Sequence, residues 1–490
     1  MFFDFARFGD RVAVLDDVGN AVTYNELAEF ALSLSNVLDR IESSKALCIN
    51  LCENSMGALV GYACMIESCI VPLMVDCNLD SNTLDKLLLD YSPEFLWLPD
   101  RLKDRFIRSG FKEVLGQYSY TLLQSPTLLQ TLGQIPQNVG LYSELALLLS
   151  TSGSTGSSKM VRQSYENLQS NTESIIQYLH IDETQRAILI LPLHYTFGLS
   201  VINTHLYSGA MILLSDKSLM QKQLWEFIAT QRASSISGVP YTYEMLKKLK
   251  FFNMSLPYLK TMTQAGGKLS IELHKEFAAF AKSSNKAFIV MYGQTEATAR
   301  MSYLPSEKSI EKCGSIGVAI PNGEFYLLDS KGNRIEQDNT QGELIYKGKN
   351  VALGYSENRF SLAKKDEFGG VLHTGDIAQR DSEGYYYIVG RKNRFIKMFG
   401  RRINLDDIDS IIESEFQGLE AKSSGVDDML YIFITQDKHK EVKKLLCDRL
   451  KIAPTALKVK YIESLPRSSS GKILYSVLDD IVKKECGDGK

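Results

Sequence analysis

Short apolar runs alternate with longer stretches of helical periodicity in the N-terminal part of the chain. The runs at 11–15, 45–51 and 70–75 predict buried strands, and the stretches at 24–41 and 56–66 predict helices. Buried strands that alternate with helices are typical of a mainly parallel sheet with both faces covered. The pattern therefore predicts an α/β fold for this part of the chain.

The later part of the chain changes its pattern twice. Further apolar strands are predicted at 145–149, 186–191, 210–215, 234–238 and 287–291. From Gly323 onward the strands become short and alternate with turn residues, which predicts a small barrel-like antiparallel subdomain. Beyond residue 392, a helix at 406–416, a strand at 429–435 and a helix at 438–450 predict a small α+β domain. We expect a large N-terminal domain over 1–392 and a small C-terminal domain over 393–490.

Composition and charge exclude several classes of protein. The 490 residues are 44% hydrophobic and 23% charged, and the net charge of −3 gives no overall attraction to nucleic acid or anionic membranes. The longest apolar stretch, near 56–66, is too short to span a bilayer, and no basic and apolar leader opens the chain. We therefore expect a cytoplasmic protein without a nucleic-acid or membrane partner. The 8 cysteines form no Cys-x-x-Cys pair and the 6 histidines are scattered, so a zinc site has no support.

A loop rich in hydroxyl groups and glycines follows the apolar strand at 145–149, and a helix is predicted to begin soon after the loop, near Ser164. Its predicted ligand-binding residues are Thr151, Ser152, Gly153, Ser154, Thr155, Gly156 and Lys159. Such a loop can turn backbone N–H groups and hydroxyls toward one polyanion, with a lysine adding positive charge, which predicts a triphosphate site. A flexible Ser/Gly linker is less favoured, because linkers seldom follow a buried strand. A Walker-type kinase or ATPase is disfavoured, because Ser158 and Met160 flank the lysine where that motif needs glycine and a hydroxyl.

A second motif, Tyr292-Gly293-Gln294-Thr295-Glu296, follows the predicted strand at 287–291. An aromatic ring can stack on adenine, and glycine lets the backbone approach a nucleotide closely. A threonine hydroxyl can bond the α-phosphate, and a carboxylate can hold the Mg²⁺ that neutralises the phosphates. This motif therefore predicts the adenine and metal end of the same nucleotide site.

Together, in this order, the two motifs resemble those of the adenylate-forming (AMP-binding, ANL) superfamily of acyl- and aryl-CoA synthetases, peptide-synthetase adenylation domains and luciferases. The resemblance covers essentially the whole chain. It implies that the ATP site also includes Gly266, Gly267, Asp376, Ile388, Arg391 and Lys472. Within that set, the glycines would lie against adenine, Asp376 and Arg391 would hold the ribose, and Lys472 would be catalytic.

The resemblance also implies a pocket for a carboxylic acid, formed by His194, Tyr195, Phe197, Gly238 and Gly267. Between 187 and 199 the sequence has no acidic residue that could pair with a substrate ammonium group, and an unpaired buried ammonium costs several kcal/mol. This disfavours an ordinary α-amino acid as the substrate. The residues expected to border the pocket, Tyr195, Phe197, Gly238 and Gly267, suggest a small to medium apolar or hydroxylated carboxylic acid. A ligase that activates an amino acid and loads a carrier protein is the alternative.

The implied reaction joins the acid to ATP as an acyl-adenylate with release of pyrophosphate, and then transfers the acyl group to a thiol. The thiol belongs to CoA or to the phosphopantetheine of an acyl carrier protein. Lys472, Thr295 and Glu296 are the expected catalytic residues, with Glu296 on Mg²⁺. The small domain would be a mobile lid that rotates at Asn393, a position where the family usually has Asp or Lys.

Two further interpretations remain for testing. A basic cluster could face the CoA 3′-phosphate or an acidic carrier helix, or form a solvated loop; its residues are Lys392, Arg394, Lys397, Arg401 and Arg402. A catalytically silent nucleotide sensor with the same fold is the alternative of another class. It predicts the loss of residues such as Glu296 or Lys472, and both are present.

Overall fold

The computed structural model describes the chain at residues 2–41, 43–126, 140–150, 159–392, 394–399, 401–416, 418–468 and 471–487. The chain divides into two compact units. The first comprises Met1–Glu324 and Tyr346–Leu372, and the second comprises Phe325–Ile345 and His373–Lys490. This division follows the packing of the chain. The expected domain boundary after residue 392 is where we expect the small domain to rotate, and it stays a prediction.

A large sheet in the first unit has a parallel centre and antiparallel edges. Its strands follow the order Val318–Ala319, Ser302–Tyr303, Ala287–Tyr292, Thr261–Gln264, Ser235–Gly238, Arg186–Leu189, Met211–Leu214, Val12–Asp16 and Ala21–Thr23. Every neighbouring pair from Ala287–Tyr292 to Val12–Asp16 is parallel, and the outer pairs are antiparallel. Parallel strands buried on both faces read as apolar runs, which is why the sequence predicted most of them.

The second sheet of this unit has the strand order Gly354–Ser356, Met160–Ser164, Leu145–Ser150, Ile70–Asp76, Ala46–Cys52, Phe95–Pro99, Tyr120–Gln124 and Lys112–Gln117. The four strands from Leu145–Ser150 to Phe95–Pro99 are parallel. All seven residues of Ala46–Cys52 are buried, as its continuous apolar sequence requires. The predicted α/β class is confirmed.

Helices pack on these sheets at Tyr24–Arg40, Met56–Glu67, Ser81–Tyr91, Lys103–Arg108, Tyr165–Leu179, Thr196–Tyr207, Lys222–Thr230, Pro240–Lys248 and Ile271–Ser283. The helix Tyr24–Arg40 begins with a capping box: the Thr23 hydroxyl accepts from the Glu26 backbone N–H at 3.2 Å, and the Glu26 carboxylate accepts from the Thr23 N–H at 2.7 Å. Over the described ranges, no helix combines the length and apolar character needed to cross a membrane.

The segment after the predicted phosphate loop differs from the expectation. The helix expected near Ser164 is confirmed at Tyr165–Leu179, with Ser164 as its N-cap. An unpredicted strand, Met160–Ser164, precedes it and pairs antiparallel with Leu145–Ser150, with Ser150 opposite Met160. The loop therefore joins two antiparallel strands, so a helix N-terminus does not follow it directly, and anion-binding donors would come from the loop itself.

The second unit has its own sheets and helices. One sheet, which lies mostly in this unit, has the order Glu324–Leu328, Gly342–Lys347, Val371–Arg380 and Tyr386–Arg391. The others comprise Phe395–Met398 with Arg401–Asn404, and Ala421–Val426, Met429–Ile434 and Leu457–Tyr461 in that order. The helices are Leu405–Glu415, His439–Leu450 and Tyr475–Gly487. The predicted helix–strand–helix pattern is confirmed, around a core that includes Ile412, Ile432 and Leu446.

Candidate active site

One edge of the large sheet collects most of the predicted site residues of the first unit. Four adjacent strands, Arg186–Leu189, Ser235–Gly238, Thr261–Gln264 and Ala287–Tyr292, are parallel, so their carboxyl ends lie at the same edge. The predicted residues at or just beyond these ends are His194, Tyr195, Phe197, Gly238, Gly266, Gly267, Tyr292, Gly293, Gln294, Thr295 and Glu296. The carboxyl edge of a parallel sheet is where α/β proteins bind ligands.

The turn at Gly266 is fixed by a residue that the sequence reasoning did not single out. Gly266 has a φ of 84°, which favours glycine. The buried side chain of Gln264 donates from Nε2 to the carbonyl oxygens of Ala265 at 3.1 Å and Gly267 at 2.9 Å. The amide therefore holds the backbone that is predicted to lie against adenine.

The Tyr292–Glu296 segment turns sharply after its strand into a short 3₁₀ helix, Thr295–Ala297. Gln163 Nε2 donates to the Thr295 carbonyl oxygen at 2.9 Å, and the Gln294 amide donates to the Tyr292 hydroxyl at 3.2 Å. A Cβ at Gly293 would lie 1.6 Å from the Ala299 carbonyl oxygen. Glycine is thus required here by a close backbone contact.

Gly293→Ala is expected to destabilise the protein by about 3 kcal/mol, because backbone atoms of Ala299 must move to admit the methyl group. Denaturant unfolding measures the change. Gly140→Ala is the matched control: a Cβ there meets nothing within 4 Å among the described residues, and we expect a change within about 0.5 kcal/mol. Equal stability of the two variants would contradict the close contact.

Glu296 belongs to a small polar cluster in the first unit. The Tyr355 hydroxyl donates to Glu296 Oε1 at 2.9 Å, and Lys159 Nζ lies 3.8 Å from the centroid of the Tyr355 ring. Burial, and then the Glu296 charge, raise the pKa of Tyr355 above its ordinary value, so the phenol remains a donor. Tyr355 therefore contacts both the carboxylate of Glu296 and the ammonium group of Lys159.

This cluster also fits Mg²⁺ that arrives with ATP. Magnesium usually takes one or two protein carboxylates and completes its shell with phosphate oxygens and water. In the described part of the chain, no group of three or more His, Cys, Asp or Glu side chains could hold a metal ion. Glu296 is thus a candidate for the single carboxylate of an ion shared with the phosphates.

The predicted acid-pocket residues lie beside a charge that the local sequence did not show. His194 Nε2 is 3.8 Å from Asp76 Oδ2, at the end of a strand of the other sheet. Burial lowers the pKa of His194, and Asp76 partly opposes this shift. Tyr195 and Phe197 are buried, with their rings edge to face at 6.3 Å. The segment 187–199 itself has no acidic residue, but Asp76 lies beside His194 of that segment. The predicted pocket residues therefore do have a carboxylate nearby.

In the second unit, Asp376 and Arg391 lie side by side on adjacent antiparallel strands. Arg391 Nε is 3.1 Å from Asp376 Oδ1, and the aspartate side chain is 3% exposed against 62% for the arginine. Ile388 is opposite Ala378 on the same strand pair. The structure thus brings together the pair predicted for the ribose, and this role stays a prediction.

Lys472 lies in a tight loop of the second unit. Arg467 and Ile473 form an antiparallel bridge, and the Ser468 N–H donates to the Lys472 carbonyl oxygen at 2.8 Å. The Lys472 N–H donates in turn to Ser468 Oγ at 3.2 Å. The backbone at Lys472 is therefore held by two hydrogen bonds across the loop.

Arg394 is one of the basic residues considered for CoA or carrier binding. Its side chain packs and forms ion pairs within the second unit. Its guanidinium carbon lies 3.7 Å from the centroid of the Tyr475 ring. It also forms ion pairs with Asp406 at 2.7 Å and Asp409 at 3.3 Å. The side chain is mostly buried, so its charge is used within this unit.

Some predicted residues lie outside the described part of the chain. They are Thr151, Ser152, Gly153, Ser154, Thr155, Gly156 and Asn393. Their assigned roles in phosphate binding and hinge motion stay predictions.

Comparison with known proteins places the chain in a family. The sequence model of the family described as AMP-binding enzyme matches residues 2–356. The chain belongs to this family. The predicted identification with the AMP-binding, adenylate-forming enzymes is confirmed.

The relatives include proteins named as CoA ligases. A 2-succinylbenzoate–CoA ligase of Listeria monocytogenes serotype 4b (strain F2365) is 23% identical over 477 residues, which are 95% of this chain and 96% of that protein. An oxalate–CoA ligase of Arabidopsis thaliana is 27% identical over 347 residues, 67% of this chain and 66% of that protein. The predicted enzyme class, an AMP-forming acid–thiol ligase, is confirmed.

A solved structure shows the same fold. The O-succinylbenzoate coenzyme A synthetase (MenE) of Bacillus subtilis, in complex with ATP and a magnesium ion, has a TM-score of 0.77 and 22% identity. The alignment covers 97% of this chain and 98% of that one. The similarity extends through the C-terminal unit, as the predicted fold class requires.

Proposed function

We propose that this AMP-binding enzyme activates a small carboxylic acid with MgATP and transfers the acyl group to CoA. The observation that carries the proposal is the shared carboxyl edge of four adjacent parallel strands, beside which the Glu296 cluster lies. The names of the relatives support CoA as the acceptor. The phosphopantetheine of a carrier protein is the second candidate acceptor.

The first step joins two anions, and the residues must offset their repulsion. Two unit charges 4 Å apart interact by about 4 kcal/mol at an effective dielectric constant near 20. Lys159 and Lys472 would supply positive charge, Glu296 would hold Mg²⁺ on the phosphates, and the Thr295 hydroxyl would bond the α-phosphate. An acid oxygen then attacks the α-phosphorus, and the bond to pyrophosphate breaks. Catalysis in this step is positioning and electrostatic stabilisation without a protein nucleophile.

The second step exchanges the nucleotide for a thiol. The thiol sulfur attacks the acyl carbon, the bond from that carbon to the AMP oxygen breaks, and the thiol proton is released to solvent. Because no phosphorus bond changes in this step, the charge of Lys472 at the α-phosphate is no longer needed. We infer that rotation at Asn393 separates the two steps, because one set of side chains cannot serve both.

Acid-dependent exchange of labelled pyrophosphate into ATP tests the first step, with an acid panel that includes 2-succinylbenzoate, oxalate and simple aliphatic acids. Thioester formation with CoA, compared with a phosphopantetheinylated carrier protein, tests the second. We expect exchange with at least one acid and transfer to CoA. The absence of exchange with every acid would contradict the proposal and favour a silent sensor, whereas transfer to the carrier alone would change the acceptor.

A further inference from the structure

Tyr355 links the two motifs that are predicted to bind MgATP. It lies in the strand Gly354–Ser356, which pairs antiparallel with the strand Met160–Ser164. Lys159 directly precedes that second strand and belongs to the predicted phosphate loop. Glu296, from the other motif, accepts a hydrogen bond from the Tyr355 hydroxyl at 2.9 Å. The tyrosine thus stands between the exit of the phosphate loop and the candidate metal ligand.

The backbone around Tyr355 is tied to both motifs. The buried side chain of Arg162 donates from Nε to the Tyr355 carbonyl oxygen at 3.0 Å and from Nη2 to the Leu353 carbonyl oxygen at 3.1 Å. On the other side, the Ala352 N–H donates to the Glu296 carbonyl oxygen at 2.9 Å. These bonds join the segment to the strand after the phosphate loop and to the motif that carries the carboxylate. The position of the tyrosine side chain is therefore set by main-chain contacts on both sides.

The ring of Tyr355 is also held in its orientation. It packs edge to face on Phe368, with ring centroids 5.4 Å apart and an angle of 87° between the planes. Lys159 Nζ lies 3.8 Å from the centroid of the Tyr355 ring, within the range of a cation–π interaction. The ammonium group and the carboxylate therefore contact different parts of one neutral side chain, the ring and the hydroxyl.

This arrangement keeps Lys159 and Glu296 from neutralising each other. An ammonium group that pairs directly with a carboxylate loses much of its attraction for phosphate, and the carboxylate loses much of its attraction for a cation. Within the described part of the chain, Glu296 forms no ion pair. The Tyr355 hydroxyl uses only Oε1 of this carboxylate, so Oε2 can face a cation. The contact with the ring does not neutralise the ammonium charge.

We propose that Tyr355 is a positioning residue for MgATP. Its hydroxyl orients Glu296 so that the second carboxylate oxygen faces Mg²⁺, and its ring keeps the ammonium group of Lys159 directed at the phosphates. Magnesium demands near-ideal octahedral geometry with short bonds, so a single protein ligand has to be well oriented. Hydrogen bonds from neighbouring side chains commonly supply that orientation. This inference rests on the proposed MgATP-dependent function and deepens it.

Tyr355→Phe removes the hydroxyl and keeps the ring. We expect it to raise by about 10-fold the Mg²⁺ concentration needed for half-maximal tightening of ATP binding, because a metal ligand without its supporting hydrogen bond binds more weakly. ATP affinity in EDTA should stay unchanged, because the contact of the ring with Lys159 is kept. Calorimetric titration with ATP in the absence of acid measures both quantities, so the result does not depend on turnover.

Tyr355→Leu removes the hydroxyl and the ring together. Lys159 and Glu296 can then pair directly, so both charges are affected. We expect the same loss of Mg²⁺ affinity as in the phenylalanine variant and, in addition, about 3-fold weaker binding of ATP in EDTA. Tyr258→Phe and Tyr258→Leu, at an exposed site, are the matched controls and should bind ATP like the native enzyme under both conditions.

A double-mutant cycle shows whether the hydroxyl acts through Glu296. In the Glu296→Gln background, Tyr355→Phe should have no further effect on the Mg²⁺ dependence. An undiminished effect there, or a native Mg²⁺ dependence in Tyr355→Phe alone, would overturn the role of the hydroxyl. Equal weakening of ATP binding with and without Mg²⁺ in Tyr355→Phe would assign the hydroxyl to packing. Identical ATP affinity of the two Tyr355 variants in EDTA would overturn the role of the ring.

These outcomes are distinct from a failure of the broader function. A native enzyme that exchanges pyrophosphate, with Tyr355 variants that keep the native Mg²⁺ dependence, would overturn this proposal and leave the ligase function intact. A native enzyme that gives no exchange with any acid, while its ATP binding responds to Mg²⁺ and to the variants as expected, would overturn the ligase function alone. Native ATP binding that does not respond to Mg²⁺ would overturn both.

Discussion

Replacing Lys472 by alanine is expected to reduce acid-dependent ATP–pyrophosphate exchange by about 1,000-fold, because the ammonium group would no longer offset the charge that develops between the acid and the α-phosphate. Thioester formation from supplied acyl-adenylate and CoA should continue, because that step forms no phosphorus bond. The two half-reactions, measured separately, therefore respond in different ways. A general loss of folding would reduce both.

The structure indicates that Lys472→Ala will not disturb the backbone of the loop. The loop around Lys472 is held by backbone hydrogen bonds with Ser468, and these do not require the lysine side chain. Lys484→Ala, at an exposed position in the helix Tyr475–Gly487, is the matched control and should leave both half-reactions unchanged. Unchanged exchange in Lys472→Ala would remove this residue from the proposed mechanism.

Asp376→Asn is expected to raise the KM for ATP by about 100-fold with a smaller effect on kcat, because a carboxylate that accepts from both ribose hydroxyls forms stronger hydrogen bonds than an amide. The stability of the fold should change little. Arg391, the ion-pair partner, is mostly exposed, and such partly solvated pairs contribute about 1 kcal/mol or less. Steady-state kinetics and calorimetric titration with AMP measure the effect.

A substrate lacking ribose hydroxyls makes this test specific. With 2′,3′-dideoxy-ATP, the native enzyme should lose about as much affinity as Asp376→Asn loses with ATP, and the variant should lose little more. Asp448→Asn, at an exposed helix position, controls for the change in net charge. Additive losses from the variant and the dideoxy nucleotide would show that Asp376 acts elsewhere.

Local patterns were sufficient for most of the fold. The continuous apolar sequence of Ala46–Cys52 and the short runs that end at Gly238 and Tyr292 each indicate a strand without reference to the rest of the chain. The order of these strands in the sheets could not be read from the sequence, because register and neighbours depend on contacts between distant segments.

The strand Met160–Ser164 shows why one element was missed. It contains Arg162 and Gln163, both fully buried, in place of an apolar run. Arg162 is stabilised by the carbonyl oxygens of Leu353 and Tyr355 and by the carboxylate of Glu367. A polar residue can occupy a buried strand when its partners come from far along the chain, and no hydropathy pattern reveals those partners.

The residues of the candidate site also fall into two groups: those that a short local motif reveals, and those whose role depends on distant parts of the chain. The Tyr292–Glu296 motif could be interpreted residue by residue, because its chemistry is carried by one short segment. Tyr355 is 59 residues from Glu296 and has no motif of its own, although it donates to that carboxylate. Asp76 was likewise missed, because its importance arises from His194, which the fold places beside it.

The stacking of Arg394 on Tyr475 has a mechanical consequence. It connects the residue that follows position 393 to the residue three positions beyond Lys472, and the ion pairs with Asp406 and Asp409 brace the same guanidinium. If the chain rotates at position 393, as we propose, this contact would make the loop that carries Lys472 move together with Arg394. If this rotation occurs, the position of the Lys472 ammonium group would depend on it alone and not on a separate rearrangement of the lysine loop.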